Sequence, residues 1–97
     1  MKKIYGFKIK YNKKVVDTFT FDSFEEAMNK LELSLLEIYD SEDFTTMQLI
    51  LNTYDIEEIN EDSFKDKLRL NHLNHIKNFS IELFSKYINN NKEEGIA

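Results

Sequence analysis

The chain begins with two segments in which apolar and polar residues alternate. From Tyr5 to Tyr11 every second residue is apolar, and Gly6, Lys8 and Lys10 lie between them. Residues 15–22 repeat the pattern, with Phe and Val on one set of positions and a Thr-rich set between them. A period of two residues is typical of a strand with one buried face. The sequence therefore predicts two strands that form an N-terminal β-hairpin.

The register of this hairpin follows from the requirement that apolar side chains of paired strands share one face. Pairing Tyr11 with Val15 satisfies this requirement and leaves the three-residue loop 12–14. A two-residue loop would instead place Phe7 against Thr18, so that the aromatic residues of the two strands would lie on opposite faces. The predicted register gives two aromatic pairs, Phe7 with Phe19 and Tyr5 with Phe21.

A helix is predicted directly after the hairpin. Ser23 and Glu26 form the sequence pattern of a capping box. In this motif the Ser23 side chain accepts a hydrogen bond from the Glu26 amide, and the Glu26 carboxylate accepts one from Ser23. An apolar stripe follows at spacings of three and four residues, which predicts a helix packed on the aromatic face of the hairpin. The stripe consists of Phe24, Met28, Leu31, Leu35 and Ile38. We expect the helix to end near Asp40.

The pattern is weaker in the second half of the chain. Thr45 to Thr53 predicts a third strand, with Met47, Leu49 and Leu51 facing inward. Residues 55–62 predict a loop with a short helical turn. Ser63, followed three residues later by Asp66, predicts the start of a second helix that breaks near residues 71–74. Its proposed apolar positions are Phe64, Leu68, Leu73, Ile76, Leu83, Phe84 and Tyr87.

These elements predict an α+β fold in the order ββαβα. It comprises a small three-stranded antiparallel sheet, formed by the hairpin and a third strand, and two helices, the second with a break. With 97 residues and 41% hydrophobic residues, the chain has enough material for one core. We expect one domain over residues 1–91 and a disordered tail over residues 92–97, because the polar segment 89–95 leads into it.

Composition excludes several kinds of site. The chain has no Cys, which rules out disulfides, thiolate metal ligands and a cysteine nucleophile. Two Gly and no Pro leave no glycine-rich phosphate-binding loop. The apolar run after Lys3 is interrupted by Lys8, and no stretch approaches the ~20 apolar residues of a membrane span. We therefore expect a cytoplasmic protein of a bacterial host cell.

Two groups of residues have side chains that can bind metal ions. His72 and His75 are three residues apart on the predicted second helix, a spacing that could bring both to one ion. Acids in residues 55–62 could suggest calcium, but this segment lacks the glycine and the alternating oxygen ligands of an EF-hand. Solvated side chains explain both groups more simply. We expect no catalytic residues, no metal and no cofactor.

The charges are distributed unevenly along the chain, whose net charge is −5. Residues 1–14 hold six Lys and no acid, residues 15–62 hold fourteen acids and one Lys, and residues 63–97 hold six basic and four acidic residues. An extended acidic surface fits a basic groove in which carboxylates replace phosphates. Solubility is the alternative interpretation of the same charges.

The sequence thus predicts a non-enzymatic inhibitor that binds a protein partner with a basic surface. If the partner is a nuclease or CRISPR effector, the protein is a phage or mobile-element inhibitor of bacterial defence, resembling an anti-CRISPR in role. A toxin partner would make it an immunity protein, and a small structural or assembly protein is the third possibility. We expect a monomer or a weak homodimer. The candidate binding residues are Glu25, Glu26, Glu32, Glu37, Asp40, Glu42 and Asp43, with Asp55, Glu57, Glu58, Glu61 and Asp62 as a second patch.

Lys8 and Lys10 alternate with aromatic residues of the first strand, a composition that superficially resembles a stacking surface for single-stranded nucleic acid. Strand geometry separates the two sets, because alternate residues point to opposite faces of a sheet. The aromatic side chains are also needed for the core. The lysine face could still contact phosphates, but nearby acids would weaken such a contact. Direct nucleic-acid binding is therefore not expected from the sequence.

Overall fold

A computed structural model describes residues 2–40, 44–70 and 78–88, apart from the side chains of residues 44, 46 and 47. Two short 3₁₀ turns, Ile56–Glu58 and Glu61–Ser63, precede the third strand. The strands and helices, in chain order, are β1 (Lys2–Tyr11), β2 (Lys14–Phe21), α1 (Phe24–Tyr39), α2 (Phe44–Thr53), β3 (Asp66–Leu70) and β4 (Phe79–Ile88).

The described strands form one antiparallel sheet in the order β2-β1-β4-β3. The two ten-residue strands, β1 and β4, pair along their full length in the middle of the sheet. The prediction of a three-stranded sheet in the order ββαβα is therefore wrong, although the fold remains a mixed α+β fold. The described order is ββααββ.

The β1–β2 hairpin contains the predicted aromatic pairs, but its loop is shorter than predicted and β2 has a bulge. Asn12 and Lys13 form a two-residue loop, and both have positive φ, 52° and 69°, as the hairpin turn that matches strand twist requires. A bulge at Val16 adds one residue to β2 and restores the register beyond it. Consequently the predicted three-residue loop is wrong, while two predicted pairs are confirmed, Phe7 with Phe19 and Tyr5 with Phe21.

Helix α1 begins and ends where the sequence predicts. The Ser23 side chain accepts a hydrogen bond from the Glu26 amide at 3.2 Å, and Ser23 Oγ donates to Glu26 Oε1 at 3.1 Å. Asp40 closes the helix in a left-handed conformation, with φ 56°. Leu31 and Leu35 of the predicted stripe are fully buried, whereas the other stripe residues, Phe24, Met28 and Ile38, pack at the edge of the core.

Residues Phe44–Thr53 form helix α2, which corrects the prediction of a third strand at Thr45 to Thr53. Ile50 is fully buried, whereas Leu49, predicted to face inward, is 48% exposed. Ile50 and Tyr54 are four residues apart and share one side of the helical segment, and the Tyr54 hydroxyl lies 2.8 Å from the Tyr39 hydroxyl at the end of α1. Packing against α1 therefore selects the helix, since a short apolar run is compatible with both structures.

The predicted second helix from Ser63 is wrong, because strands β3 and β4 occupy that part of the chain. Ser63 lies in a 3₁₀ turn whose preceding residue, Asn60, supplies the cap by accepting hydrogen bonds from two backbone amides. Leu68 and Leu70 are buried on β3, as are Ile81 and Leu83 on β4. Their spacing of two residues is that of strands. The break predicted near residues 71–74 lies outside the described residues.

The core lies between one face of the sheet and the helices. Tyr5 on β1 makes edge-to-face contacts with Phe24 of α1 and with Phe64, at 5.9 and 5.5 Å between ring centroids. The same sheet face contributes Phe7 and Ile9 of β1, which are also buried. The predicted loop with short helical turns over residues 55–62 is confirmed, and Ile56 anchors it in the core.

Candidate functional site

The predicted acidic residues lie on the helical side of the molecule. Glu25 and Glu26 occupy the first turn of α1, where negative charge also stabilises the helix dipole. Glu37 and Asp40 are exposed at its other end. The acids of the second patch lie in and beside the two 3₁₀ turns, and all of them are exposed: Asp55, Glu57, Glu58, Glu61 and Asp62. Glu42 and Asp43 lie outside the described residues.

Two observations show that the sequence-distant patches lie close together. Glu32 of α1 is half-buried, and its pKa is raised by burial and by the charge of Glu57 in the first 3₁₀ turn. Glu25 and Glu61 line one open depression of about 390 Å³, where Lys3 Nζ donates to the Glu61 carbonyl oxygen at 2.6 Å. The two predicted patches thus meet. We call the ten described acids the acidic face: Glu25, Glu26, Glu32, Glu37, Asp40, Asp55, Glu57, Glu58, Glu61 and Asp62.

The opposite face of the sheet carries a group of residues that the sequence prediction missed. Cross-strand pairing aligns Thr18, Lys8, Glu82 and Lys67 in one row across all four strands. The next row places Lys10, Ser80 and Arg69 together, and Ile4 pairs with Lys86 further along. We call the following residues the basic sheet face: Lys8, Lys10, Lys67, Arg69, Lys86, Glu82 and Phe84.

The basic sheet face is open over the described part of the chain. Its residues on β3, Lys67 and Arg69, are exposed, and so is Lys86. The residues through which α1 meets the sheet belong to the other face, as the contact of Phe24 with Tyr5 shows. The sheet is therefore covered by the helices on one face, while its other face presents charged side chains.

Glu82 lies at the centre of this face and is outnumbered by cations. Lys10 Nζ donates to Glu82 Oε2 at 2.9 Å, and Lys8 and Lys67 are the direct cross-strand partners of Glu82 on either side. The hydrogen bond and charge of Lys10, followed by the charges of Lys8 and Lys67, hold the pKa of Glu82 below its usual value. One carboxylate is therefore surrounded by three lysines, so this part of the basic sheet face carries a net positive charge.

Phe84 is the aromatic residue of the basic sheet face, and Gly6 is its cross-strand partner. A Cβ atom on Gly6 would lie 2.6 Å from Phe84 Cζ and would also collide with the Phe19 carbonyl oxygen. The absent side chain therefore lets the ring lie across the backbone of β1. Lys8 Nζ lies 5.9 Å from the ring centroid. Phe84 remains partly exposed.

One sequence signal could have revealed this face. In β4, Phe79, Ile81 and Leu83 alternate with Ser80 and Glu82, and in β3 Leu68 and Leu70 alternate with Lys67 and Arg69. If these segments are strands, the strand register places their cations on the same face of the sheet as Lys8. Read as a helix, they separate the cations.

Comparison with protein-family models, with characterised proteins and with solved structures found no match. Within residues 2–40, 44–70 and 78–88, no group of three His, Asp or Glu side chains is arranged to hold a metal ion. His72 and His75 lie outside these ranges. No helix in the same ranges is both long enough and apolar enough to cross a membrane.

Proposed function

We propose that this protein is a non-enzymatic inhibitor that binds, through its acidic face, a basic surface on a bacterial nucleic-acid-handling defence complex. The observation that carries the proposal is that acids of the two patches lie close together: Glu25 and Glu61 line one depression, and Glu57 is near enough to Glu32 to raise the pKa of that carboxyl. Residues 25 positions apart in the chain form one negative surface, although their repulsion disfavours the folded state. A phage or mobile element is the expected source of such an inhibitor, and the bacterial cytoplasm is its site of action.

The chemistry of the acidic face supports this role. Carboxylates on the outside of α1 and on the 3₁₀ turns present negative charge without a deep pocket, which suits a broad electrostatic interface. A nuclease or CRISPR effector holds its nucleic acid in a positively charged channel, and a surface of carboxylates competes for the same cations. Such binding depends strongly on ionic strength because solvent-exposed charges are screened by salt.

The first test is a salt-dependent pull-down with the tagged full-length protein from a bacterial lysate, followed by inhibition of the captured enzyme. We expect a nuclease or CRISPR effector that is released by salt and inhibited by the protein. Glu57→Lys combined with Glu58→Lys should weaken both binding and inhibition. Asp17→Lys, compared with Glu57→Lys alone, is the control for one charge reversal, because Asp17 is an exposed acid on β2 outside the acidic face.

Three results would argue against the proposal. Unchanged binding and salt dependence in the double variant would eliminate the acidic face as the interface. Capture of a co-encoded toxin would assign the protein as an immunity protein. Recovery of the protein alone, with a mass that rises with concentration, would favour a structural or assembly role.

A further inference from the structure

We propose that the basic sheet face binds single-stranded nucleic acid, with phosphates on its lysines and arginine and a base stacked on Phe84. This inference goes beyond the proposed inhibitor function, because it concerns the opposite face of the sheet and another class of ligand. It rests on the positions of five cations and one aromatic ring on the open face of four strands.

The cations are spaced as a flexible polyanion requires. Lys8, Lys67 and Arg69 lie on strands β1 and β3, which flank β4 on either side. Neighbouring strands are about 4.8 Å apart, and successive residues on one face of a strand are about 6.7 Å apart. Successive phosphates of one strand can therefore contact successive cations. Glu82 neutralises only part of this charge, since three lysines surround it.

The Phe84 ring provides the stacking contact of the proposed site. Gly6 leaves room for the Phe84 ring over β1, so a partly exposed aromatic ring lies among the cations. Stacking on an aromatic side chain is the main sequence-tolerant contact by which proteins hold unpaired bases. Open sheets that carry such rings are a known way to bind RNA. Lys8, 5.9 Å from the ring centroid, can contact a phosphate next to the stacked base.

These features favour a single strand over other polyanions. The bases of a duplex are already stacked on one another, so a duplex would use the cations but leave Phe84 unused. An acidic peptide likewise supplies charge without a planar group for the ring. The acidic face lies on the helical side of the sheet, and salt at physiological strength largely screens exposed charges that are more than about 8 Å apart. The local positive charge is thus expected to exceed the repulsion from the net charge of −5.

The test is fluorescence anisotropy of the full-length protein with a labelled ten-nucleotide deoxythymidine strand at several salt concentrations. We expect binding that weakens with salt, and a blunt duplex of equal length should bind at least fivefold more weakly. Phe84→Leu keeps an apolar side chain over Gly6 and should lower the affinity for the single strand by about fivefold or more. Its thermal unfolding, measured in parallel, separates this loss from misfolding.

The charge variants test the other half of the site. Lys67→Ala and Arg69→Ala should each reduce the slope of log affinity against log salt by about 0.7, the value for one phosphate contact on a single strand. Lys30→Ala, which removes the same charge from α1, is the matched control and should leave the slope unchanged.

Four outcomes would overturn the inference. They are no binding at low salt, equal binding of single strand and duplex, equal binding of a polyglutamate chain of the same charge, and an unchanged affinity in Phe84→Leu. Self-association that Lys67→Glu abolishes, without oligonucleotide binding, would identify a second copy as the occupant instead. Failure here leaves the proposed inhibitor function untouched, because its variants lie on the acidic face.

Discussion

The two faces of the sheet are both lined by residues of β1 and β4, yet they hold very different environments. On the helical side Phe7 and Ile81 are completely buried, and the acidic face lies on α1 and around the 3₁₀ turns. On the open side the same two strands present Lys8, Lys10 and Glu82. The difference shows that the described helices cover one face of the sheet. The side chains of one face can therefore be substituted without directly changing the other face.

Truncation of one aromatic residue on each face should give the largest contrast. Phe7→Ala removes a fully buried ring and is expected to cost about 3–5 kcal/mol of the free energy of unfolding, because it leaves a cavity in the core. Phe84→Ala removes a partly exposed ring from the open face and should cost clearly less. Chemical denaturation of both variants measures the difference. Equal losses would mean that the open face is covered in solution.

Gly6→Ala tests the position of the Phe84 ring. The new methyl group would overlap the ring and the Phe19 carbonyl oxygen, and overpacking of this kind costs about 1–3 kcal/mol. The double variant with Phe84→Ala should recover part of that loss, because one of the two overlaps is removed. A double-mutant cycle measures this coupling. Strict additivity would place the ring away from Gly6.

Glu32→Gln tests whether burial and the charge of Glu57 make ionised Glu32 destabilise the fold. The pKa of Glu32 is raised by burial and by Glu57, so the folded state binds the proton more tightly than the unfolded state. Glu32 therefore destabilises the fold above its folded pKa, and this effect disappears as pH falls below the ordinary carboxyl value. The variant should gain about 0.2–0.5 kcal/mol at neutral pH, the usual size of a like-charge repulsion.

The measurement is thermal unfolding of the Glu32→Gln variant and the parent at neutral and acidic pH. The gain should vanish in acid, while partner binding through the acidic face should weaken at neutral pH. A gain that persists in acid would assign the effect to packing, and the repulsion between the two patches would lose its support.

Glu82→Gln should give the smallest change in stability, with the opposite pH signature. Lys10, Lys8 and Lys67 hold the pKa of Glu82 low, so its ionised form stabilises the fold above the unfolded pKa, and this contribution is lost as pH falls through the folded pKa. The variant should lose a little stability at neutral pH and none in acid. It also removes the one acid of the basic sheet face, so it should strengthen oligonucleotide binding.

A control for Glu82→Gln is the same substitution at Asp17, written Asp17→Asn, which removes an exposed acid from β2. Oligonucleotide affinity should change less in this control than in Glu82→Gln. Equal gains would indicate that only the net charge of the protein matters, and not the arrangement of charges on the open face.

Local signals explain which parts of the fold could be predicted. The hairpin and α1 follow from alternation and from a capping box, and both act within a few residues, as Ser23 and Glu26 illustrate. The two-residue turn could not be separated from a three-residue loop, because the bulge at Val16 compensates for the shift in register. For the acidic face, the sequence identified the residues, but only the tertiary structure places Glu61 beside Glu25 and Glu57 near Glu32.

By itself, the sequence determined the mixed α+β class, the first three elements and the acids that populate the acidic face, because these depend on composition and short-range periodicity. The structure of residues 44–53 and of residues from Ser63 to Ile88 was decided by tertiary packing. Ile50 gains its burial against the other helical elements, and β4 gains hydrogen bonds along the whole of β1. Pairing over such a distance in the chain places Lys67 and Arg69 on the same sheet face as Lys8, with β4 between them, and no local sequence pattern indicates this arrangement.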